Sequence, residues 1–391
     1  MTEQHTFPRH DPGPNVTRSR RSLLSTLAGG SLAGFAGCGG LAAPVGSSVD
    51  DCPSTTRPWP MAGRTPARTG VAPGERVPEA PTVDRLLRTD GTLPPSAPVI
   101  GDGRLVVATA DRLVAVDPGD GSVAWEREPR GVFRPGPTPA VGCGAVVAST
   151  DDGVAAFALD DGRPRWRRAG GGGGSLAVVD GVVYHPRGPE TVARDARTGE
   201  RLWAGDAGGS VAVDVEAGRV YATDDAVSEG TVTARSTDGE ALWSTTGPGH
   251  LRTPVVADDR VYALGEGALL ALDAADGTVA WRRDGPNGYG AGLAVADGRV
   301  YAAAGGGPHA VGRDLDGERL WRVLTGASGA APVVAGETVL VPGAEGLAAV
   351  DTGTGERRWT VDALGGEPSR TVAVADGVVY ASGFDGVYAL R

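Results

Sequence analysis

Short alternating apolar runs, rather than helical stripes, organise this chain. Segments such as PVVADDRVYAL (254–264) and LAVADGRVYAA (293–303) place two valine-rich runs on either side of a tight polar turn. Side chains that alternate in this way predict half-buried strands, and Asp/Gly turns between them predict hairpins. A third apolar run follows, as in GALLALD (267–273), and a fourth ends at a tryptophan. The whole pattern then returns. Trp125, Trp166, Trp203, Trp243, Trp281, Trp321 and Trp359 are separated by 41, 37, 40, 38, 40 and 38 residues. Each follows a glycine by four positions: Gly121, Gly162, Gly199, Gly239, Gly277, Gly317 and Gly355. Four short strands per period of about 40 residues predict the blade of a β-propeller.

First-strand pairs begin near Pro98, Pro139, Leu176, Val211, Pro254, Leu293, Pro332 and Val372, which predicts eight blades, with seven as the alternative. The eighth unit stops at FDGVYALR, before a tryptophan strand of its own. RLLRT (85–89) resembles RLWRV (319–323), and Leu87 lies 38 residues before Trp125. The expectation is an all-β ring closed by this N-terminal strand, with Leu87 in the tryptophan position and no exposed edge at the seam. The turn before the tryptophan strand is expected to alternate in length. Asp117, Asp195, Asp273 and Asp351 stand four residues before the glycine, whereas LDDG (159–162), STDG (236–239) and DLDG (314–317) read as one residue shorter. Blade-pair duplication and an even blade number follow.

A tryptophan at seven equivalent ring positions cannot converge on one ligand. Its predicted role is packing between neighbouring blades, with the turn Asp accepting amide hydrogen bonds and the Gly supplying a left-handed conformation. The motif Ala-x-Asp-x-x-x-Gly-x-x-x-Trp, as in AVDPGDGSVAW (115–125) and ALDAADGTVAW (271–281), resembles the docking motif of the PQQ-like, quinoprotein-type propeller repeats. That group includes PQQ-dependent alcohol dehydrogenases and BamB-like secreted lipoproteins. The resemblance spans residues 83–391, and WPMAGRTPARTG (59–70) resembles the lead-in segment of secreted members.

Composition adds habitat. Glycine supplies 63 of 391 residues, in keeping with many tight turns. The net charge is −11 and all 37 basic residues are arginine, which fits a surface kept soluble in strong salt or an arginine-favouring codon bias. An acidic surface argues against a nucleic-acid partner. Ahead of the repeat, Arg20 and Arg21 precede an apolar run that ends in FAGC (35–38). This resembles a twin-arginine export signal followed by a lipobox, with Phe35 where an aliphatic residue is usual, and it implies lipidation at Cys38. The expected organisation is a signal peptide at 1–37, a tether and lead-in at 38–80 and a propeller at 81–391. The protein would be exported and held at the cell surface by that lipid alone, the alternative being an ordinary signal peptide. Cys52 and Cys143 either pair or stay free; no motif predicts a metal site.

Function is less legible. The dehydrogenases, as the resemblance implies, hold PQQ between a tryptophan and a ring of two adjacent cysteines, beside a calcium bound by Glu, Asn and Asp. Adjacent cysteines are missing here, and Asn287 is the one asparagine after the signal. No nucleophile or metal pattern involves His185, His250 or His309, all read as loop residues. RAGGGGGS (168–175) lacks the GK[ST] of a phosphate loop and is read as a connection between blades. The expectation is a non-catalytic scaffold without PQQ or calcium, binding an unknown protein or glycan. A PQQ-dependent dehydrogenase and an extracellular ligand- or glycan-binding sensor are the alternatives. Candidate contact residues on the loop face are Arg134, His250, Arg252, Tyr289 and His309.

Overall fold

Each repeat folds into one four-stranded antiparallel sheet in up-and-down order, and there are eight such sheets. The computed structural model describes residues 59–89, 94–128, 138–170, 174–224, 226–284, 292–303, 309–326, 330–343, 346–362, 364 and 372–391. Arg20, Arg21, Cys38, Cys52, Arg134 and Tyr289 lie outside them. Blades 1 to 7 span 99–127, 140–169, 177–206, 211–248, 255–284, 292–324 and 333–362. Blade 8 combines Ala373–Ala375, Val378–Gly383 and Gly386–Leu390 with the N-terminal strand Val83–Arg88. Inner strands touch in succession around the axis, and that of blade 8 meets that of blade 1. The ring has eight blades and closes through the N-terminal strand.

The second and third strands are buried on both faces and therefore read as nearly continuous Val, Ala and Leu. The outer strands alternate. Every tryptophan pairs across the sheet with a small residue, Ala115, Ala156, Ala193, Ala234, Ala271, Gly312 or Ala349, and a one-residue bulge follows each pair. The ring reaches across to the next blade. An added Cβ at Gly162 or Gly199 would lie 2.7 Å from Trp125 or Trp166. Gly239, Gly277, Gly317 and Gly355 meet Trp203, Trp243, Trp281 and Trp321 in the same way. Each indole Nε1–H donates to a turn carbonyl of that next blade: Leu159, Ala196, Thr237, Ala274, Leu315 and Thr352, at 2.6–3.2 Å. Trp359 has no such turn ahead of it and donates instead to Pro78 at 2.9 Å.

Two details of the expected repeat are corrected. The turn of blade 2 is not short. Gly162 N–H donates to Ala158 O as Gly121 does to Asp117 O, so Ala158 occupies the Asp position. Only Gly239 and Gly317 close the shorter turn, onto Ser236 and Asp314. Nor does Leu87 take the tryptophan position. The bulge of the closing strand falls between Arg85 and Leu87, Asp84 faces Ala389, and Gly121 meets the Leu86 backbone. Backbone thus replaces an indole at the seam. Arg391–Asp84 (2.9 Å) and Arg85–Asp385 (2.7 Å) ion pairs flank it, both at the surface and each worth little.

Residues 59–72 belong to the ring itself. Trp59, the eighth tryptophan and 1% exposed, exchanges two backbone hydrogen bonds with Ile100 of blade 1. Pro60, Pro66, Ala67, Thr69 and Gly70 then accept from Val141, Val213, Val256, Val295 and Val334, the matching inner-strand amides of blades 2, 4, 5, 6 and 7. Val71–Ala72 pairs in parallel with Val334 and Ala335.

Trp166→Ala removes a buried ring and its hydrogen bond together, and is expected to cost about 3–5 kcal/mol in urea unfolding. Gly162 and Gly103 both have positive φ, but a Cβ at Gly103 meets nothing within 4 Å. Gly103→Ala should therefore cost about 1 kcal/mol of backbone strain, and Gly162→Ala clearly more, measured by the same unfolding midpoint.

Candidate functional site

The propeller has two unlike ends. Inner hairpins and the turns before the outer strands share one, the hairpin end, where 59–72 follows the inner strands around the axis and bonds to them one residue before their turns. Second-to-third turns and blade-to-blade connections share the other, the connection end, where the sequence placed its candidate contacts.

Three of those five candidates are described. His250 and Arg252 lie two residues apart in the link from blade 4 to blade 5. His250, at φ 52°, donates its amide to Ala226 O at 2.8 Å. Arg252 N–H donates to Leu264 O at 2.9 Å, and its carbonyl accepts from Thr223 Oγ1 at 3.2 Å. The link is packed under the 224–228 turn of blade 4, with Gly249 against the Val227 carbonyl. Blade 4 owns the longest third and outer strands, Glu229–Ser236 and Ala241–Pro248, and Val227 at their connection-end side is 72% exposed. His309 does not join this pair. It opens a strand, His309–Asp314, rather than lying in a loop, and its Nδ1 stands 3.0 Å from Arg322 on its own blade's outer strand.

His185 is also a strand residue, in Val182–Arg187, and fully buried. Arg194 Nε–H donates to its Nε2 at 3.0 Å, which leaves the proton on Nδ1 to be donated to Pro186 O at 3.0 Å. Arg194 also donates to Gly199 O, a carbonyl it shares with Arg168 of blade 2. Burial pushes the imidazole down to about 4, and Arg194 and Arg187 push the same way. This is a neutral packing histidine between blades 2 and 3. The arginines around it follow a rule that sequence reading missed. The side chain two residues after the tryptophan caps the next blade's turn: Arg127 on Gly162 O, Arg168 on Gly199 O, Thr245 on Gly277 O and Arg283 on Asp316 O. Blade 3 has Gly205 there, and Arg235 of blade 4 lies over that glycine and caps Gly239 O itself. The signal was the recurrence of arginine at this repeat position, Arg127, Arg168 and Arg283, although Gly205, Thr245, Val323 and Val361 interrupt it.

Cys143 sits at φ 54° in the inner hairpin of blade 2 and is disulfide-bonded. The sequence's other two cysteines, Cys38 and Cys52, lie outside the described residues. Among the described residues no three His, Cys, Asp or Glu side chains form a metal-holding group.

The His185 pair carries a pH dependence. Its folded value lies below its unfolded one near 6.5, so its contribution is complete above pH 6.5 and is lost as pH falls toward 4. Stability should drop by about 3 kcal/mol from this residue across that window. His185→Gln keeps an acceptor for Arg194, and its urea midpoint should fall less than that of the unaltered protein between pH 7 and 4.

Against known proteins, residues 88–245 and 228–391 each match the family described as outer membrane protein assembly factor BamB. No curated protein sequence matches the chain. Among solved structures, BamB from Moraxella catarrhalis superposes with a TM-score of 0.62 at 19% identity, over 79% of this chain and 97% of that one. A quinohemoprotein alcohol dehydrogenase from Pseudomonas putida HK5 gives 0.68 at 14%, covering 85% and 79%. The computationally designed Ika8 protein gives 0.67 at 16%, covering 78% and 98%. At such identities the likeness is one of fold. The two family matches together span 88–391, so this chain belongs to the BamB family of PQQ-like propeller repeat proteins.

Proposed function

We propose that this protein is a non-catalytic binding scaffold that takes a protein partner at its connection end. The observation that carries this reading is the occupation of the hairpin end by the chain's own residues 59–72, which leaves the connection end as the face with elements to spare. There the raised strands of blade 4 and the His250–Arg252 link form a braced, partly apolar ridge. A family described as an assembly factor supports the same reading.

A dehydrogenase is the second reading, favoured by the superposition on a quinohemoprotein alcohol dehydrogenase. The described residues do not fit a quinone site of the kind the resemblance implies. The described cysteine, Cys143, is committed to a disulfide in an inner hairpin at the hairpin end. No step through a quinone is derived. Export and lipidation at Cys38 complete the proposal, with the propeller held at the cell surface.

A photoreactive residue at position 252 should give protein adducts on intact cells, while one at position 276, in a hairpin-end turn, should not. Equal adducts at both positions, or none, would refute the scaffold reading. Fluorescence titration of the purified protein in high salt with PQQ and calcium should show no saturable binding, and saturable micromolar binding would reinstate the dehydrogenase. Cys38→Ser should abolish the mass shift of lipidation and release the protein from membranes.

A further inference from the structure

Residues 59–77 touch every blade. Backbone bonds reach blades 1, 2, 4, 5, 6 and 7. Blade 8 is reached by Glu75, whose carboxylate accepts from the Asp376 and Gly377 amides at 3.1 and 2.8 Å. Met61 shares the apolar core beside blade 3, and the hydrogen bond to that blade comes, among the described residues, from Arg68. Its guanidinium donates to Leu176 O just before the inner strand of blade 3 (2.8 Å), to Val211 O of blade 4 (3.0 Å) and to Ala62 O of the segment itself (2.6 Å). Arg68 is 3% exposed and has only carbonyl partners, and burial lowers it to about 10, still a cation at neutral pH.

The segment also carries backbone strain. Arg64 and Arg68 both adopt left-handed backbone, at φ 65° and 64°, which costs any residue with a Cβ. Gly63 is needed because a Cβ there would lie 2.9 Å from the Arg68 backbone. A buried guanidinium without a carboxylate carries a desolvation cost that its carbonyls only partly offset. From 62 to 70 only Arg68 and Gly70 are buried, so backbone hydrogen bonds hold this stretch rather than apolar packing. Beyond Ala72 the chain leaves through the exposed Pro73 and Gly74. Trp59, Met61 and Ala72 anchor the two ends of the segment in the core, but the scarcity of apolar burial along 62–70, its left-handed residues and its exposed exit mark a stretch that opens below the free energy of global unfolding.

We infer that residues 59–77 form an axial strap that opens as one cooperative unit, with Arg68 as its lock. Closed, it seals the hairpin end and fixes the spacing of the inner strands. Open, it frees six inner-strand amides together. This inference stands apart from the scaffold reading, because it concerns the axis and not the partner face.

Amide-resolved hydrogen exchange on the full mature chain tests it. In the unaltered protein the amides of Ile100, Val141, Val213, Val256, Val295 and Val334 should share one opening constant. They should exchange faster than ladder amides such as Val147 and Val339. Arg68→Met should speed all six by a common factor of about ten or more, leaving Val147 and Val339 unchanged. Arg68→Lys keeps the charge but loses the fork, and should fall between the two. Unequal changes among the six would overturn the unit. Equal acceleration of the ladder amides, or opening constants equal to theirs in the unaltered protein, would show the segment to be ordinary core. No change in Arg68→Met would overturn the lock. Should Arg68→Met fail to fold, the comparison between the unaltered protein and Arg68→Lys decides the same points.

Discussion

The structure depends on an indole that its own blade cannot bury. Each tryptophan stands opposite an alanine or glycine on its sheet, and that small partner leaves room for the ring to lean outward onto the next blade's glycine. Its hydrogen-bond acceptor is in the next blade too. A single repeat therefore has an unsatisfied donor and an exposed ring, and stability comes only from having a successor. Tyr184, Tyr221, Tyr262 and Tyr301 thicken this contact in the middle blades, at 5.8–6.1 Å from the tryptophans of the same sheets. Demanding a successor at every step means that the array is satisfied only by closing on itself.

Closure is where the repeat breaks its own rule. Blade 8 takes its outer strand from the N-terminus, so it has no turn for Trp359 to dock on, and Pro78 supplies the missing carbonyl. On the other side of the seam Gly121 meets the Leu86 backbone instead of an indole. Both substitutes come from residues 78–86, the stretch that runs from the axial segment to the rim. The N-terminal segment thus completes the molecule twice, once at the axis and once at the seam. Side-chain ion pairs at the seam add fixed register more than energy, because all are solvent-exposed.

The ring was legible because its information is periodic. Seven Gly-x-x-x-Trp spacings disclosed blade number, strand order and the neighbouring-blade role of the indole without any knowledge of contacts. What escaped was aperiodic. Trp59 looked like part of a tether because no second copy of its context exists, yet it is among the most buried side chains of the protein. Leu87 aligned by spacing with the tryptophans, but register within a sheet is set by bulge position, and the bulge had moved. LDDG looked short because an aspartate was counted where the backbone uses Ala158. His185 looked like a loop residue because Pro186 follows it, although a proline fits a strand where no ladder amide is required. Of the candidate contacts, His250 is fixed by blade 4's raised turn and Arg252 by the second strand of blade 5, anchors that the loop sequence alone does not encode.

The two ends of the ring differ in how much change they can absorb, and this bears on function. At the hairpin end, turn length is tied to the glycine under each indole, and the inner strands are tied to the axial segment. Even the shorter turns of blades 4 and 6 keep the glycine in place by closing one residue earlier. A specific binding surface there would have to be built from residues already committed to docking. Among the described residues no indole docks at the connection end, although close backbone contacts such as Gly208 on Gly188 O and Gly209 on Thr223 O occur there too. Blade 4 extends its third and outer strands to eight residues without disturbing any neighbour's indole, and the chain from blade 4 to blade 5 folds beneath that extension. Strand length can thus vary at the connection end in a way that the indole-tied turns do not allow, and under the scaffold reading that is where a partner-specific surface is most readily written.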